Sequence, residues 1–282
     1  MRSSRTFMVV LLVGMVPLAG CEPLSNTAKP AETVSPLDDA SMAEVMLTAA
    51  DPAEAVAYFT RASRAHPERT DLRRGLALSL LRAKRPAEAA VVYEKLVALP
   101  DATNEDRVNY ADALLRTGEW DRARKVLDTV PPTYETAKRY RLEAILADHR
   151  REWKKADAFY ANAVGLSPEP APILNNWGFS KLQRGDAKGA EKLLLQAVTY
   201  DPKLFTAKNN LVLARAAQGK YSLPPIPMTE EEQAQLLYTL ALAARRDGRI
   251  DLARAFLREA IDTHPRHFSA AVRMLKELER GS

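Results

Sequence analysis

The sequence predicts an all-α protein: an α-solenoid of helix–turn–helix repeats that ends in a C-terminal capping helix. The first observation is a small residue that returns every 33 or 34 residues, with one longer gap before its last copy: Ala55, Ala89, Ala123, Ala156, Ala190 and Ala253. The second is a large residue four positions after each alanine: Phe59, Tyr93, Leu127, Tyr160, Leu194 and Leu257. The third is another small residue twelve positions before it: Ala43, Ala77, Ala111, Ala144, Gly178 and Ala241. A period of this length is typical of helical hairpins that stack on their neighbours.

The N-terminal residues 1–20 have the layout of a signal peptide. Basic residues precede an apolar run from Phe7 to Leu18, which is too short for the roughly 20 residues that span a bilayer. The sequence Leu18-Ala19-Gly20-Cys21 resembles the lipobox of bacterial lipoproteins, in which the cysteine carries the lipid. Cys21 is the only cysteine, so it has no disulfide partner within the chain. We therefore predict a lipoprotein signal peptide and a covalent lipid (diacylglycerol and palmitate) on Cys21; the alternative is an ordinary signal peptide that happens to contain a cysteine.

Residues 21–37 are rich in Pro, Ala, Ser and Thr and have no hydrophobic periodicity. Such a composition predicts a flexible tether. The residue after the cysteine is Glu22 rather than aspartate. By the resemblance to the sorting rule of bacterial lipoproteins, this implies the periplasmic face of the outer membrane, with membrane attachment through the lipid.

The second helix of each repeat carries the clearest motif. In four copies a second small residue lies seven positions after the alanine, at Ala62, Ala163, Ala197 and Ala260. A proline follows this residue by five positions, at Pro67, Pro168, Pro202 and Pro265. Spacings of three and four place the apolar residues on one helix face, and the proline prevents the helix from continuing. This pattern resembles the tetratricopeptide repeat (TPR), and two copies depart from it where Leu96 and Val130 replace the second small residue. We predict a TPR array of about five and a half repeats over residues 38–222.

Four glycines are predicted to form the turns between paired helices in the left-handed conformation: Gly118, Gly185, Gly219 and Gly248. Aromatic residues follow these turns or their equivalents at Trp120, Trp153 and Tyr221. We interpret these aromatic side chains as packing over the turn; stacking on sugars or bases is the alternative.

The sixth repeat breaks the pattern after a first helix predicted at about Thr206 to Gln218. Its second helix would contain Pro224, Pro225 and Pro227, which cannot continue a helix. Residues 223–229 are therefore predicted to form a Pro-rich elbow. Thr229 and Glu232 form a capping-box pattern, so residues 230–280 are predicted to hold a final TPR and the capping helix.

The sequence contains none of the usual catalytic motifs, and we predict that the protein is not an enzyme. It has no Gly-rich phosphate loop, no Gly-x-Ser-x-Gly and no His-Glu-x-x-His. His264 and His267 lack suitable partners for zinc, so no metal or cofactor is expected besides the lipid. The net charge is +5 with acids and bases interspersed, which argues against a nucleic-acid partner.

Asparagines recur at one position of the first helices, two residues before the small residue, at Asn109, Asn176 and Asn210. In TPR domains this face lines the concave groove, where an amide can donate to and accept from the backbone of an extended peptide. By helical geometry, the flanking residues of the predicted groove are Asn175, Asn209, Phe179, Leu182 and Leu213. The alternative is that the asparagines are solvated or bond the adjacent helix.

The mature chain also resembles the TPR lipoproteins of the Tad (tight adherence, Flp) pilus system. The residues that carry this resemblance are 221–230, Tyr-Ser-Leu-Pro-Pro-Ile-Pro-Met-Thr-Glu, and the terminal helix pair through 264–268, His-Pro-Arg-His-Phe. The resemblance implies a pilotin-like assembly factor whose partner is an outer-membrane secretin or another pilus component. The alternative is a periplasmic TPR adaptor for outer-membrane protein assembly or for the regulation of peptidoglycan enzymes.

Overall fold

The computed structural model describes residues 36–280, and the side chains from residue 41 onward. The residues from Ala43 onward form one compact unit, and residues 1–42 form another, of which the described part is the beginning of the first helix. The predicted signal peptide, the lipid attachment at Cys21 and residues 21–35 of the predicted tether lie outside the described residues. Residues 36 and 37, which the sequence assigned to the tether, begin the first helix instead.

Residues 36–280 contain fourteen α-helices and no β-strand. In chain order they are α1 (Pro36–Thr48), α2 (Pro52–Ala65), α3 (Thr70–Arg82), α4 (Pro86–Val97), α5 (Asn104–Arg116), α6 (Trp120–Leu127), α7 (Ala137–His149), α8 (Trp153–Leu166), α9 (Ala171–Gln183), α10 (Ala187–Tyr200), α11 (Phe205–Ala216), α12 (Glu230–Arg246), α13 (Ile250–Thr263) and α14 (Ser269–Arg280). No helix in this range is both long enough and apolar enough to cross a lipid bilayer.

The helices of the unit that begins at Ala43 stack as consecutive antiparallel pairs. The first and second helices of a repeat pack together in α3 with α4, α5 with α6, α7 with α8, α9 with α10 and α12 with α13. The second helix then packs on the first helix of the next repeat, as in α2 with α3 and α4 with α5. Contacts of this kind, between neighbours in the sequence, are what defines a solenoid. The predicted α-solenoid is confirmed.

The small–large pattern explains how the helices approach one another. All six alanines that head the pattern have no exposed surface, and neither do Tyr93, Leu194 and Leu257. A Cβ atom placed on Gly178 would lie 2.6 Å from Cγ of Leu194, closer than real Cβ contacts. The leucine of the second helix therefore fills the space that the glycine of the first helix leaves open.

The turns within the repeats use the left-handed backbone conformation. The four predicted glycines all have positive φ, between 72° and 84°, so this prediction is confirmed. Lys84 and Arg151 occupy the same position in their repeats, with φ of 57° and 62°. A side chain there costs roughly 1 kcal/mol relative to glycine, which shows that the turn is imposed by the packing of the two helices.

The segment between α11 and α12 replaces the second helix of the sixth repeat. Leu223 and Met228 pack against the core of the last repeats, and Ile226 packs beside α10 and α11. At its end the Thr229 hydroxyl accepts from the amide of Glu232, and the Glu232 carboxylate accepts from the amide of Thr229. The predicted capping box is confirmed, while α11 ends at Ala216, two residues before the predicted end.

The last helix, α14, packs on α13 through a narrow apolar stripe. Ala271 and Met274 are buried, and the remaining surface carries charged residues. This is the polar outer face that the end of a repeat array requires. The predicted C-terminal capping helix is therefore present.

Candidate functional site

A cleft of about 440 Å³ opens between α7 and α9, the first helices of the fourth and fifth repeats. We call it the α7–α9 cleft. Its walls combine aromatic, amide and carboxylate side chains: Trp120, Ile145, Asp148, His149, Tyr160, Asn176, Phe179, Ser180 and Gln183. Phe179 is 43% exposed although it is a large apolar side chain. Aromatic side chains are enriched at protein–protein interfaces.

The α7–α9 cleft contains two of the eight residues that the sequence assigned to a groove, Asn176 and Phe179. Leu182 packs beside the core formed by α10 and α11, so it is partly buried rather than free in a groove. Leu213 on α11 is also partly buried.

Three asparagines of the predicted groove form hydrogen bonds between neighbouring first helices. Asn210 Nδ2 donates to Asn175 Oδ1 at 2.9 Å, which joins α11 to α9. Asn209 Oδ1 accepts from the Thr239 hydroxyl at 2.7 Å, which joins α11 to α12. These amides therefore bond the adjacent first helix, as the alternative interpretation predicted. Asn210 in particular does not simply face solvent. Whether any of them also contacts a partner stays a prediction.

Asn109 is 4% exposed and is therefore not available on an open groove. Its position, two residues before the small residue, faces the large residue of the preceding repeat's second helix, here Tyr93. Its Oδ1 accepts a hydrogen bond from Lys138 Nζ at 2.5 Å, on the next first helix. Asn109 is buried because the neighbouring repeats place Tyr93 and Lys138 against it, whereas Asn176 and Asn210 in the same register are only partly buried.

A basic cluster, made of Arg116, Lys138 and Arg141, surrounds the buried carboxylate of Asp112. The charged nitrogens lie 3.0, 3.2 and 3.8 Å from its oxygens. Burial alone would raise the pKa of Asp112, but the hydrogen bond from Arg116 and the charges of Lys138 and Arg141 hold it below its usual value. Three cations on one anion leave this part of the first-helix face positively charged.

Asp148 in the α7–α9 cleft has a different environment. Its two oxygens accept hydrogen bonds from the Tyr160 hydroxyl at 2.9 Å and the Ser180 hydroxyl at 2.7 Å. Asp148 forms no salt bridge with the described residues. Burial raises the pKa of this carboxyl group, although both hydrogen bonds oppose the shift. Sequence reasoning missed Asp148, because a single aspartate near a helix end belongs to no recognisable motif.

The aromatic residues after the turns pack as predicted, and one of them also lines the cleft. The Trp120 ring stacks on the His149 ring with centroids 4.1 Å apart. The Trp153 ring lies under the guanidinium of Arg184, and the Tyr221 ring lies under that of Arg249. Trp120 is only partly buried against the core, so its remaining surface is available in the cleft.

Three family models described as tetratricopeptide repeat match the chain, over residues 42–104, 80–147 and 235–267. No curated protein sequence matches it. The matched segments are tetratricopeptide repeats, and the helix pairs between them have the same hairpin form. Proteins built from this repeat are generally protein-interaction scaffolds rather than enzymes.

Solved structures with the same fold are similar to the chain at low sequence identity. A chain of the APC/C hetero-tetramer Cut9–Hcn1 matches with a TM-score of 0.61 and 17% identity, over 86% of this chain and 48% of that one. A human IFIT1 dimer with PPP-AAAA matches with 0.60 and 16%, over 86% and 63%. A tetratricopeptide repeat protein from Parabacteroides merdae matches with 0.56 and 13%, over 85% and 96%. The chain thus spans about half of the matched Cut9–Hcn1 chain, and these likenesses show the fold alone.

Proposed function

We propose that this chain is a non-enzymatic TPR lipoprotein of the outer membrane that assists the assembly of a Tad (Flp) type pilus, in the manner of TadD. Its task is pilotin-like: it binds the subunits of the secretin ring through which the pilus passes and holds them at the membrane. The observation that carries the proposal is a lipobox-like sequence, Leu18-Ala19-Gly20-Cys21, ahead of a TPR solenoid with an open cleft.

Each part of this arrangement supports one step of the task. A lipid on Cys21 would keep the solenoid at the periplasmic face of the membrane, where secretin subunits arrive. A tether over residues 21–35, with a root-mean-square reach of roughly 20 Å, would let the solenoid reorient towards a partner. The exposed Phe179 and the amide of Asn176 would then supply an apolar anchor and a polar contact for that partner.

Lipidation is tested by substituting the cysteine that carries it. Cys21→Ser is expected to abolish the incorporation of labelled palmitate and to shift the protein from the outer-membrane fraction to the soluble periplasmic fraction or to an unprocessed form. Removal of the acyl chains has this effect because each buried methylene contributes about 0.8 kcal/mol to membrane binding.

Glu22→Asp is the matched control for this experiment. The variant is expected to keep the palmitate label and to move to the inner-membrane fraction, since its cysteine is intact and only the sorting residue differs. If Cys21→Ser still incorporated palmitate, or if the natural chain carried no label, the lipid anchor would be wrong. A labelled protein that binds an outer-membrane assembly factor or a peptidoglycan enzyme in place of a secretin would support the adaptor alternative.

A further inference from the structure

We propose that the α7–α9 cleft binds a basic side chain, lysine or arginine, of the partner protein, and that Asp148 is its counter-ion. This inference rests on the proposed function, since it assumes that the groove-side face of the first helices receives a protein. It adds the chemical class of the residue that the partner inserts.

The shape and lining of the cleft suit a long side chain with a charged end. Its volume of about 440 Å³ lies within the range of roughly 300–1,000 Å³ typical of ligand pockets. Phe179 and the stacked pair of Trp120 and His149 contribute ring surface. The hydrocarbon stem of a lysine or arginine packs on such rings, and its cationic group is attracted to their faces.

The charge of the cleft is unbalanced in the free protein. Three other carboxylates that the helix packing buries, wholly or in part, have a cation: Asp106 has Arg74 at 3.0 Å, Asp112 has Arg116 at 3.0 Å, and Glu191 has Arg215 at 2.9 Å. Asp148, by contrast, has only two hydroxyl donors. A cation from outside the chain would complete this site in the way that the chain itself completes the others.

Arg184, whose charge acts on Asp148, is already engaged elsewhere. The charge of Arg184 acts to lower the pKa of Asp148, but the two side chains form no salt bridge. The Arg184 guanidinium instead donates to the Asp157 carboxylate and the Trp153 carbonyl oxygen. Lys181 also binds Asp157, at 3.1 Å. Neither side chain can turn to Asp148 without breaking its own ion pair.

This arrangement discriminates between classes of side chain. Burial already disfavours the ionised form of Asp148, so an apolar side chain that removed the remaining water would make its negative charge costlier. An acidic side chain would be repelled. A basic side chain instead gives the carboxylate a partner, and this is the selectivity that the experiment measures.

The test titrates the full-length protein with single-residue probes and follows the indole N–H signals of its tryptophans by NMR. The probes are the Nα-acetyl amides of arginine, lysine, leucine and glutamate. We expect the arginine and lysine probes to shift the Trp120 signal, and the leucine and glutamate probes not to shift it. The Trp153 signal should stay unchanged, because this ring packs under Arg184 and does not line the cleft.

Two variants test the assignment of roles. Asp148→Asn is expected to weaken the binding of the arginine probe at least about fivefold through loss of the counter-ion. Asp121→Asn removes the same charge from an exposed position on α6, outside the cleft, and should bind like the natural chain. Phe179→Ala, at an exposed side chain whose loss leaves the core intact, should also weaken binding, which keeps the test informative if Asp148→Asn destabilises the fold.

A leucine probe that binds as well as arginine would overturn the inference, and so would an unchanged affinity in a folded Asp148→Asn or Phe179→Ala variant. These outcomes are separate from those of the proposed function. If the chain binds the secretin but not the arginine probe, the inference of a basic side chain is wrong and the proposed function stands. A chain that binds the arginine probe but never the secretin refutes the proposed partner.

Discussion

Leu194→Ala should lower the free energy of unfolding of the chain by about 2–5 kcal/mol, the range for a buried leucine whose removal leaves a cavity. Leu194 has no exposed surface and packs against Gly178, which offers no side chain to fill the space. Thermal or urea unfolding of the full-length protein measures this loss. Leu195→Ala is the matched control, since the next residue of the same helix is 49% exposed, and its effect should stay within about 0.5 kcal/mol.

A second substitution turns this measurement into a test of the small–large pairing. Gly178→Ala alone brings a methyl group to 2.6 Å from the Leu194 side chain and should cost about 1–3 kcal/mol by overpacking. In Leu194→Ala the same methyl group enters the cavity, so the double variant should be more stable than the sum of the two single effects predicts. If the free-energy changes of the two single variants simply added in the double variant, the pairing of Gly178 with Leu194 within the repeat would be contradicted.

Glu232→Gln should destabilise the end of the array by about 3 kcal/mol, near the lower limit for breaking a buried ion pair. Its carboxylate binds Lys208 Nζ at 2.8 Å, and Lys208 is 2% exposed. The substitution leaves this ammonium group buried without a counter-charge. Glu231→Gln is the control, because the neighbouring side chain is 48% exposed and binds Arg266 only at 3.8 Å. Unfolding in urea distinguishes the two variants.

The pH dependence of stability supplies a second readout for the same pair. Burial would raise the pKa of Glu232, but the hydrogen bonds from Lys208 and the Thr229 amide hold it below its usual value. Since the pKa of the folded state is depressed, this stabilisation is present above the unfolded pKa and is lost as the pH falls through the folded one. The Glu232→Gln variant should not lose this part of its stability as the pH is lowered. Adding Lys208→Met to Glu232→Gln should recover stability, and failure to do so would contradict a buried unpaired charge.

The fold was predictable from the sequence because its determinants repeat. Small residues such as Gly178 let the two helices of one repeat pack closely. The same spacing recurs from repeat to repeat, so one period contains most of the sequence signal. The left-handed turns at Lys84 and Arg151 could not be predicted, because these positions lack the glycine that signals such a turn. Helix packing imposes the left-handed conformation on them. Likewise α11 ends early because the following residues pack as an extended segment instead of a helix.

The candidate site was less predictable because its properties depend on contacts between repeats. Asn109 shares a register with Asn176, yet it is buried while Asn176 lines the α7–α9 cleft. The two positions differ in the side chain that the neighbouring repeat presents, such as Lys138 beside Asn109. The importance of Asp148 lies in the absence of a cationic partner among the described residues, which no spacing of residues in the sequence reveals.

The proposed binding of the secretin subunit to the first-helix face at the α7–α9 cleft can be measured as an affinity on two matched variants. Phe179→Ser removes an apolar side chain that is 43% exposed on α9, and Leu195→Ser removes one that is 49% exposed on α10 of the same repeat. Both should melt like the natural chain. The Phe179→Ser chain should bind the detergent-solubilised secretin at least about tenfold more weakly, as expected for a central anchor residue, and the Leu195→Ser chain should bind it unchanged. Equal affinities, or a loss confined to Leu195→Ser, would contradict the claim.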